Sequence, residues 1–215
     1  MYNILLADDH ILLRDALATL INSFDGCKVV AVADNGQQVL QHLQNGVVPH
    51  LVILDLSMPL MDGYETTEWL QKNHPQIKIL ILTMYDSEIA LIRLLQLGVR
   101  GFLKKDIHPT ELKNALLAVL ENGYYYSHNA TGKLASLFQR SQQNQQTIDK
   151  AMLTDVEIQF LKLASTDLTY KEIAQKMGLT PRNVDTFRDG LFMKLDVKSR
   201  VGLAIYAVKN GIISF

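Results

Sequence analysis

Leu51-Val52-Ile53-Leu54-Asp55-Leu56-Ser57-Met58-Pro59-Leu60-Met61-Asp62-Gly63 is the stretch whose reading decides the fold. Four apolar residues without polar alternation suit a strand buried on both faces of a parallel sheet. The strand ends on Asp55, and Pro59 with Asp62-Gly63 marks a turn that closes the segment. In open parallel sheets ligands bind outside the carboxyl ends of the strands, which puts Asp55 where chemistry is usually done. A carboxylate after a strand also caps turns and helices, so this stretch by itself leaves both roles open.

The flanking sequence repeats the pattern. Tyr2 to Ala7 reads as a strand running into Asp8-Asp9, and Ile11, Leu12, Ala16, Leu17, Leu20 and Ile21 recur at helical spacing. Lys28 to Ala33 is a second strand, followed by a helix carrying Val39, Leu40 and Leu43 that ends near Asn45-Gly46. After the Asp55 strand, a helix through Tyr64, Thr67, Trp69 and Leu70 stops at Asn73-His74-Pro75. Ile77 to Leu82 is a fourth buried strand, running into Thr83, and Ile89 to Leu97 is a helix closed by Gly98. Gly101-Phe102-Leu103 leads into Lys104-Lys105-Asp106, and Pro109 to Leu120 forms a fifth helix ended by Asn122-Gly123. Five strand–helix alternations predict a doubly wound, five-stranded parallel sheet with helices on both faces.

Parallel strands share a direction, so Asp8-Asp9, Asp55, Thr83 and Lys105 gather on one rim. Three carboxylates together raise one another's pKa unless a cation sits among them. A hard divalent ion held by few carboxylates plus waters, as Mg2+ is, satisfies that requirement and points to phosphoryl chemistry. Asp55 can attack phosphorus as a nucleophile, while Mg2+ and a lysine offset the charge on the phosphoryl oxygens. The Thr83 hydroxyl can donate a hydrogen bond to one of those oxygens.

Composition narrows the function classes. The chain has 215 residues, room for one large domain or two small ones, and its 48% hydrophobic and 20% charged residues are ordinary for a globular protein. Met1 to His10 carries no basic leader pattern, and no apolar run approaches the roughly 18 residues that span a bilayer, so neither secretion nor membrane insertion is expected. The single cysteine, Cys27, suits a reducing cytosol and reads as a quiet half-buried thiol. The six histidines show no metal-ligand spacing, and no transition-metal site is expected. The first 121 residues carry a net charge of −5 and the last 64 a net charge of +2, an asymmetry that points to two domains with different partners.

Residues 1–123 resemble the receiver domain of two-component response regulators. The resemblance rests on Asp8-Asp9, on Asp55 with Met58-Pro59 and Asp62-Gly63, on Thr83, and on Gly101-Phe102-Leu103-Lys104-Lys105-Asp106. It implies a flavodoxin-like fold in which Asp55 accepts a phosphoryl group from a sensor histidine kinase. Asp8, Asp9, Asp55 and the Ser57 main-chain carbonyl would hold Mg2+, and Lys105 rather than Lys104 would be the active lysine. Thr83 and Phe102 would relay the switch. Phe102 stands where tyrosine is common, and Met84 where a small residue is usual; Met84 either crowds the phosphoryl pocket or, like Phe102, simply packs.

Residues 124–151 read as a linker. Tyr124-Tyr125-Tyr126 is polar-aromatic, Leu134 to Phe138 has the pattern of a short helix, and Gln139 to Thr147 has the composition of a tether.

Residues 152–215 read as four short helices. Thr154 and Glu157 make a capping box before a face of Val156, Phe160, Leu161 and Leu163. Thr169 caps Tyr170 to Met177, and Gly178 ends it. Thr180-Pro181 opens a third helix to Leu195, buried through Val184, Leu191, Phe192 and Leu195, and Ser199 caps a fourth from Arg200 to Lys209. Two short helices around Gly178-Leu179-Thr180 have the shape of a helix-turn-helix, though any small bundle shares this periodicity.

Leu153-Thr154-Asp155-Val156-Glu157, Lys171-Glu172-Ile173-Ala174, Leu179-Thr180-Pro181-Arg182-Asn183-Val184 and Lys198-Ser199-Arg200 resemble the LuxR/NarL-type domain. With the receiver in front, the chain is similar to the NarL/FixJ-type response regulators. That resemblance implies a cytoplasmic transcription regulator, not a metabolic enzyme, which binds double-stranded DNA as a homodimer when phosphorylated. Residues 182–195 would then lie in the major groove. Thr169, Lys171, Thr180, Arg182, Lys198 and Arg200 would contact phosphates, and Asp185, Thr186, Arg188 and Asp189 would read bases, with Arg188 the guanine reader. Asp185 and Asp189 depart from the family's usual lysine or other polar residue, which keeps open an output domain that binds a protein instead of DNA. A phosphohydrolase with an aspartyl nucleophile places a second Asp two residues on, where this chain has Ser57.

Overall fold

In a computed structural model the chain is described over residues 1–84, 88–127, 131–132 and 153–213, without the side chains of residues 88 and 89. The described residues form two compact units. Over residues 2–122, β1 (Tyr2–Ala7), β2 (Cys27–Ala33), β3 (Leu51–Leu54), β4 (Lys78–Thr83) and β5 (Gly101–Lys104) alternate with α1 (Ile11–Asn22), α2 (Gly36–Gln44), α3 (Gly63–Asn73), α4 (Glu88–Gln96) and α5 (Pro109–Asn122). The strands are parallel, in the order β2-β1-β3-β4-β5, so the winding reverses between β1 and β3. Asp8-Asp9 and Asp55 follow those two strands, at the topological switch point of the sheet.

Side-chain alternation along the strands divides the core. Ile4, Leu6, Leu51, Ile53, Leu80, Leu82 and Leu103 form one cluster with Ile21 of α1 and Leu112, Ala115, Leu116 and Val119 of α5. The alternate residues Leu5, Val52, Leu54, Ile79 and Ile81 are equally buried and point to the other face. Burial on both faces is why the strands read as unbroken apolar runs.

The sheet has a sixth strand, β6 (Tyr125–Tyr126), which pairs parallel to β5 in the register Gly101↔Tyr125 and Phe102↔Tyr126. This extends the expected five-stranded sheet by one short strand and draws two tyrosines read as linker onto the sheet edge. Gly123, at φ 93°, turns the chain out of α5 in the left-handed conformation. Tyr126 then donates its hydroxyl to the Val99 carbonyl at 3.0 Å, and Tyr125 to Glu111 at 3.3 Å. A two-residue strand carries no periodicity, so the sequence pattern could not register it. The short helix at 134–138 and the glutamine-rich tether fall outside the described residues.

The second unit contains α6 (Asp155–Ala164), α7 (Tyr170–Met177), α8 (Pro181–Leu195) and α9 (Arg200–Lys209). Thr154 and Thr169 both close capping boxes, with Glu157 and Glu172, while Thr180 and Ser199 cap α8 and α9 through single side-chain bonds. Gly178, at φ 66°, ends α7, and the three-residue turn to α8 lets those two helices pack together. Phe160, Leu161, Ile173, Val184, Leu191 and Leu203 centre the core, with Leu163, Phe192 and Leu195 half-buried beside it. Val156 is exposed, contrary to expectation. The buried stripe of α6 runs through Ile158, Phe160, Leu161 and Ala164, and Val156 falls at its edge.

Candidate functional site

The rim predicted from the strand ends is assembled as expected. The β1–β3 register sets Ala7 beside Leu54, and the Asp55 amide donates to the Ala7 carbonyl at 2.9 Å, so Asp8 and Asp55 emerge side by side. Asp8 is 1% exposed and Asp55 4%. The Lys105 amide donates to the Thr83 carbonyl, which fixes the lysine at the end of β5. Its Nζ lies 2.7 Å from Asp8 Oδ2 and 2.9 Å from Asp55 Oδ2, one ammonium between two buried carboxylates. Lys104, the neighbour set aside in the sequence, pairs instead with Asp106 at 3.1 Å.

Burial pushes the Asp55 carboxyl above its ordinary value, against the pull of Lys105. Burial alone would lower the Lys105 ammonium, but Asp55 and Asp8 outweigh it and hold that group up. The other oxygen of Asp55, Oδ1, accepts the Leu56 amide at 2.8 Å. Gly63 opens α3 directly against this loop: a Cβ there would lie 2.3 Å from the Asp55 carbonyl oxygen and 2.8 Å from Leu56 Cα. The Asp-Gly turn signal therefore marks a close backbone approach as well as a helix start, with Asp62 and Glu65 forming its capping box.

Thr83 is fully buried at the end of β4, and Phe102 is buried within β5. Met84 is 67% exposed, so its side chain is turned largely to solvent. Ser57 follows Asp55 by two residues in the loop.

Oxygen atoms of Asp8, Asp9 and Asp55 and a ring nitrogen of His10 all lie within 4.8 Å of one another. Asp9 Oδ1 is buried without a hydrogen-bond partner, although His10 Nδ1 stands 2.9 Å away in poor geometry for a bond. A buried carboxylate oxygen without a hydrogen bond, beside two further carboxylates, fits a hard cation. His10 was missed in the sequence because it lacks a second histidine at helical spacing; its signal was direct adjacency to Asp8-Asp9. Arg14 was missed as well. It is a buried arginine whose guanidinium pairs with Asp34 and donates to the Asp8 carbonyl at 3.3 Å, bracing the loop after β1.

In the helical unit the expected DNA contacts divide into two groups. Lys171, Arg182 and Lys198 are exposed, as are Thr180 and Thr186. Arg200 is committed elsewhere: Nε donates to the Ala164 carbonyl at 2.8 Å and Nη2 to the Thr166 carbonyl, which caps the C-terminus of α6. The Thr169 hydroxyl is occupied by its capping box with Glu172. Arg188 donates to Asp185 and Asp189, and its guanidinium carbon lies 5.1 Å from the Tyr170 ring centre and 5.9 Å from that of Phe192. Among the described residues no helix is long and apolar enough to cross a membrane.

Residues 4–117 match the family model of the response regulator receiver domain, and residues 151–207 match that of the bacterial regulatory proteins of the luxR family. The response regulator GacA of Pseudomonas viridiflava is 32% identical over 213 residues, covering 99% of this chain and 98% of its own length. The oxygen regulatory protein NreC of Staphylococcus epidermidis is 30% identical over 221 residues, covering 99% of each. The structure of RcsB from Salmonella enterica serovar Typhimurium, bound to promoter rprA in the presence of the phosphomimetic BeF3−, shares the fold. It superposes with a TM-score of 0.71 at 24% identity, over 95% of this chain and 97% of that one.

Proposed function

The chain belongs to the two-component response regulators with a luxR-type DNA-binding output, and from that premise we propose that Asp55 is its phosphoacceptor and that acylphosphate formation governs dimerisation and DNA binding. The output makes it a transcription regulator, not a metabolic enzyme. The observation that carries the proposal is the Lys105 ammonium, 2.7 and 2.9 Å from the buried Asp8 and Asp55 carboxylates at the switch point of the sheet.

A sensor kinase presents a phosphohistidine to the rim. A carboxylate oxygen of Asp55 attacks phosphorus, the P–N bond breaks, and its electron pair returns to the imidazole. Asp8, Asp9, Asp55 and the Ser57 carbonyl would hold Mg2+, which would supply charge neutralisation at the phosphoryl oxygens. Lys105 exchanges its grip on Asp55 for the phosphoryl group, and Thr83 donates its hydroxyl to a second oxygen. Phe102, one strand over and paired to Tyr126 of β6, relays the change. The phosphorylated state shifts a pre-existing equilibrium toward a dimer. Residues 1–123 act as the switch, 124–151 as the connection and 152–215 as the reader of DNA.

Lys171, Arg182 and Lys198 contact phosphates, with Thr169 and Thr180 at helix starts, while Arg200 acts through the fold. Cytoplasmic residence follows from a kinase partner and a chromosomal target. RcsB, a protein of this fold solved on promoter DNA with BeF3−, supports the same use here. Sedimentation with Mg2+, with and without beryllofluoride, tests the proposal beside Asp55→Asn. A monomer-to-dimer shift in the wild type alone is expected; no shift in either, or a shift in both, overturns it.

A further inference from the structure

Two aspartates on a helix offered to DNA repel phosphate, and exposed ion pairs add little to stability. Asp185 and Asp189 therefore need a reason to be there, and Arg188 supplies it. Its Nη1 donates to Asp185 Oδ1 at 2.9 Å. Its Nε donates to Asp189 Oδ1 at 2.9 Å, and Nη2 stands 2.8 Å from the same oxygen. The guanidinium also lies against the Tyr170 ring, and Tyr170 in turn stacks parallel to the buried Phe160. A long side chain that is free on most helix surfaces is held here on two sides and one face. The Arg188 side chain is 24% exposed, so its head still reaches solvent.

A guanidinium has five N–H donors; two donate to the aspartates and a third nitrogen faces Asp189 Oδ1, so at most three are engaged. At least two remain, the number that a guanine edge takes through O6 and N7. We propose that Asp185 and Asp189 are positioning residues rather than base readers: they set the orientation of Arg188, through which one guanine is read, and their charges keep α8 off DNA of other sequence. This rests on the DNA-binding reading of residues 152–215. It replaces the direct reading of bases by the aspartates, because each has a carboxylate oxygen occupied by Arg188.

The test is selection of binding sites from a random duplex pool by the full chain with Mg2+ and beryllofluoride. The wild type is compared with the double variant Asp185→Asn/Asp189→Asn, with Asp185→Glu/Asp189→Glu, and with Arg188→Lys, which keeps charge and stem but loses the fork. The wild type is expected to enrich a site with a fixed G·C pair. The Asn variant should lose preference at that one pair by about ten-fold and bind an unselected duplex about ten-fold more tightly. The Glu variant should keep weak binding to unselected DNA while losing the preference, which separates charge from geometry. Arg188→Lys should lose the same pair. An Asn variant that selects the wild-type site with that pair intact overturns the proposal, as does an Arg188→Lys chain that keeps it. A wild type that enriches no sequence overturns the DNA-binding reading itself.

Discussion

Lys105 and Arg188 are each gripped by two carboxylates, yet one grip is sealed from water and the other faces it. The side chains of Lys105, Asp8 and Asp55 are 2–4% exposed, whereas those of Asp185 and Asp189 are 55% and 60% exposed. In the buried triad the charges depend on one another, because removing one partner leaves another uncompensated in a poor dielectric. In the exposed triad, water takes over whatever partner is lost, so the pairs set direction more than stability. The same motif of one cation and two anions thus serves as a switch where it is dry and as a guide where it is wet.

The sharpest way to break this comparison is Lys105→Met. It should cost about 3–5 kcal/mol in urea unfolding without divalent ions, and Mg2+ should restore part of it. The sign with pH follows from Asp55. Its folded pKa is already raised by burial and should rise further without the lysine, so the deficit should be small near pH 4 and grow toward neutrality. A loss below about 1 kcal/mol would put the buried triad in the same class as the exposed one.

Gly63→Ala probes the backbone beneath the rim. A Cβ 2.3 Å from the Asp55 carbonyl must displace the loop, at about 1–3 kcal/mol, and should weaken the beryllofluoride-induced dimer as well. The corresponding glycine of the helical unit behaves oppositely. Nothing lies within 4 Å of a Cβ at Gly190, so Gly190→Ala should stabilise α8 by about 1 kcal/mol, read as a higher melting temperature of the helical unit.

The smallest effect concerns Tyr206, whose hydroxyl is pushed up to about 12 by burial and by the Glu157 carboxylate. A raised folded pKa gives stability that is complete below the unfolded value of about 10 and is lost as pH rises toward 12. Tyr206→Phe should remove a phenolate step near pH 12 from an absorbance titration and leave stability at pH 7 nearly unchanged.

Much of the rim was legible before any coordinates. Asp8, Asp9, Asp55, Thr83 and Lys105 each follow or end an apolar strand, and parallel strands must bring such ends together. The long-range partners of Arg188 and Arg200 were not legible because an arginine's partner need not be its neighbour in sequence. Arg200 binds carbonyls 34 and 36 residues away, and Arg188 lies against Tyr170 from the preceding helix. His10 and Arg14 were passed over because a lone residue shows no period.

The sequence by itself determined the strand and helix order, the caps, the rim and the family, because each is written in local spacing. Tertiary structure alone decided that Lys105 bridges two buried carboxylates and that Gly63 must lack a side chain. It also decided that β6 extends the sheet and that two aspartates hold an arginine against a tyrosine. Those facts depend on which atoms come within a few ångströms across the fold, and that distance is set by packing, not by position in the chain.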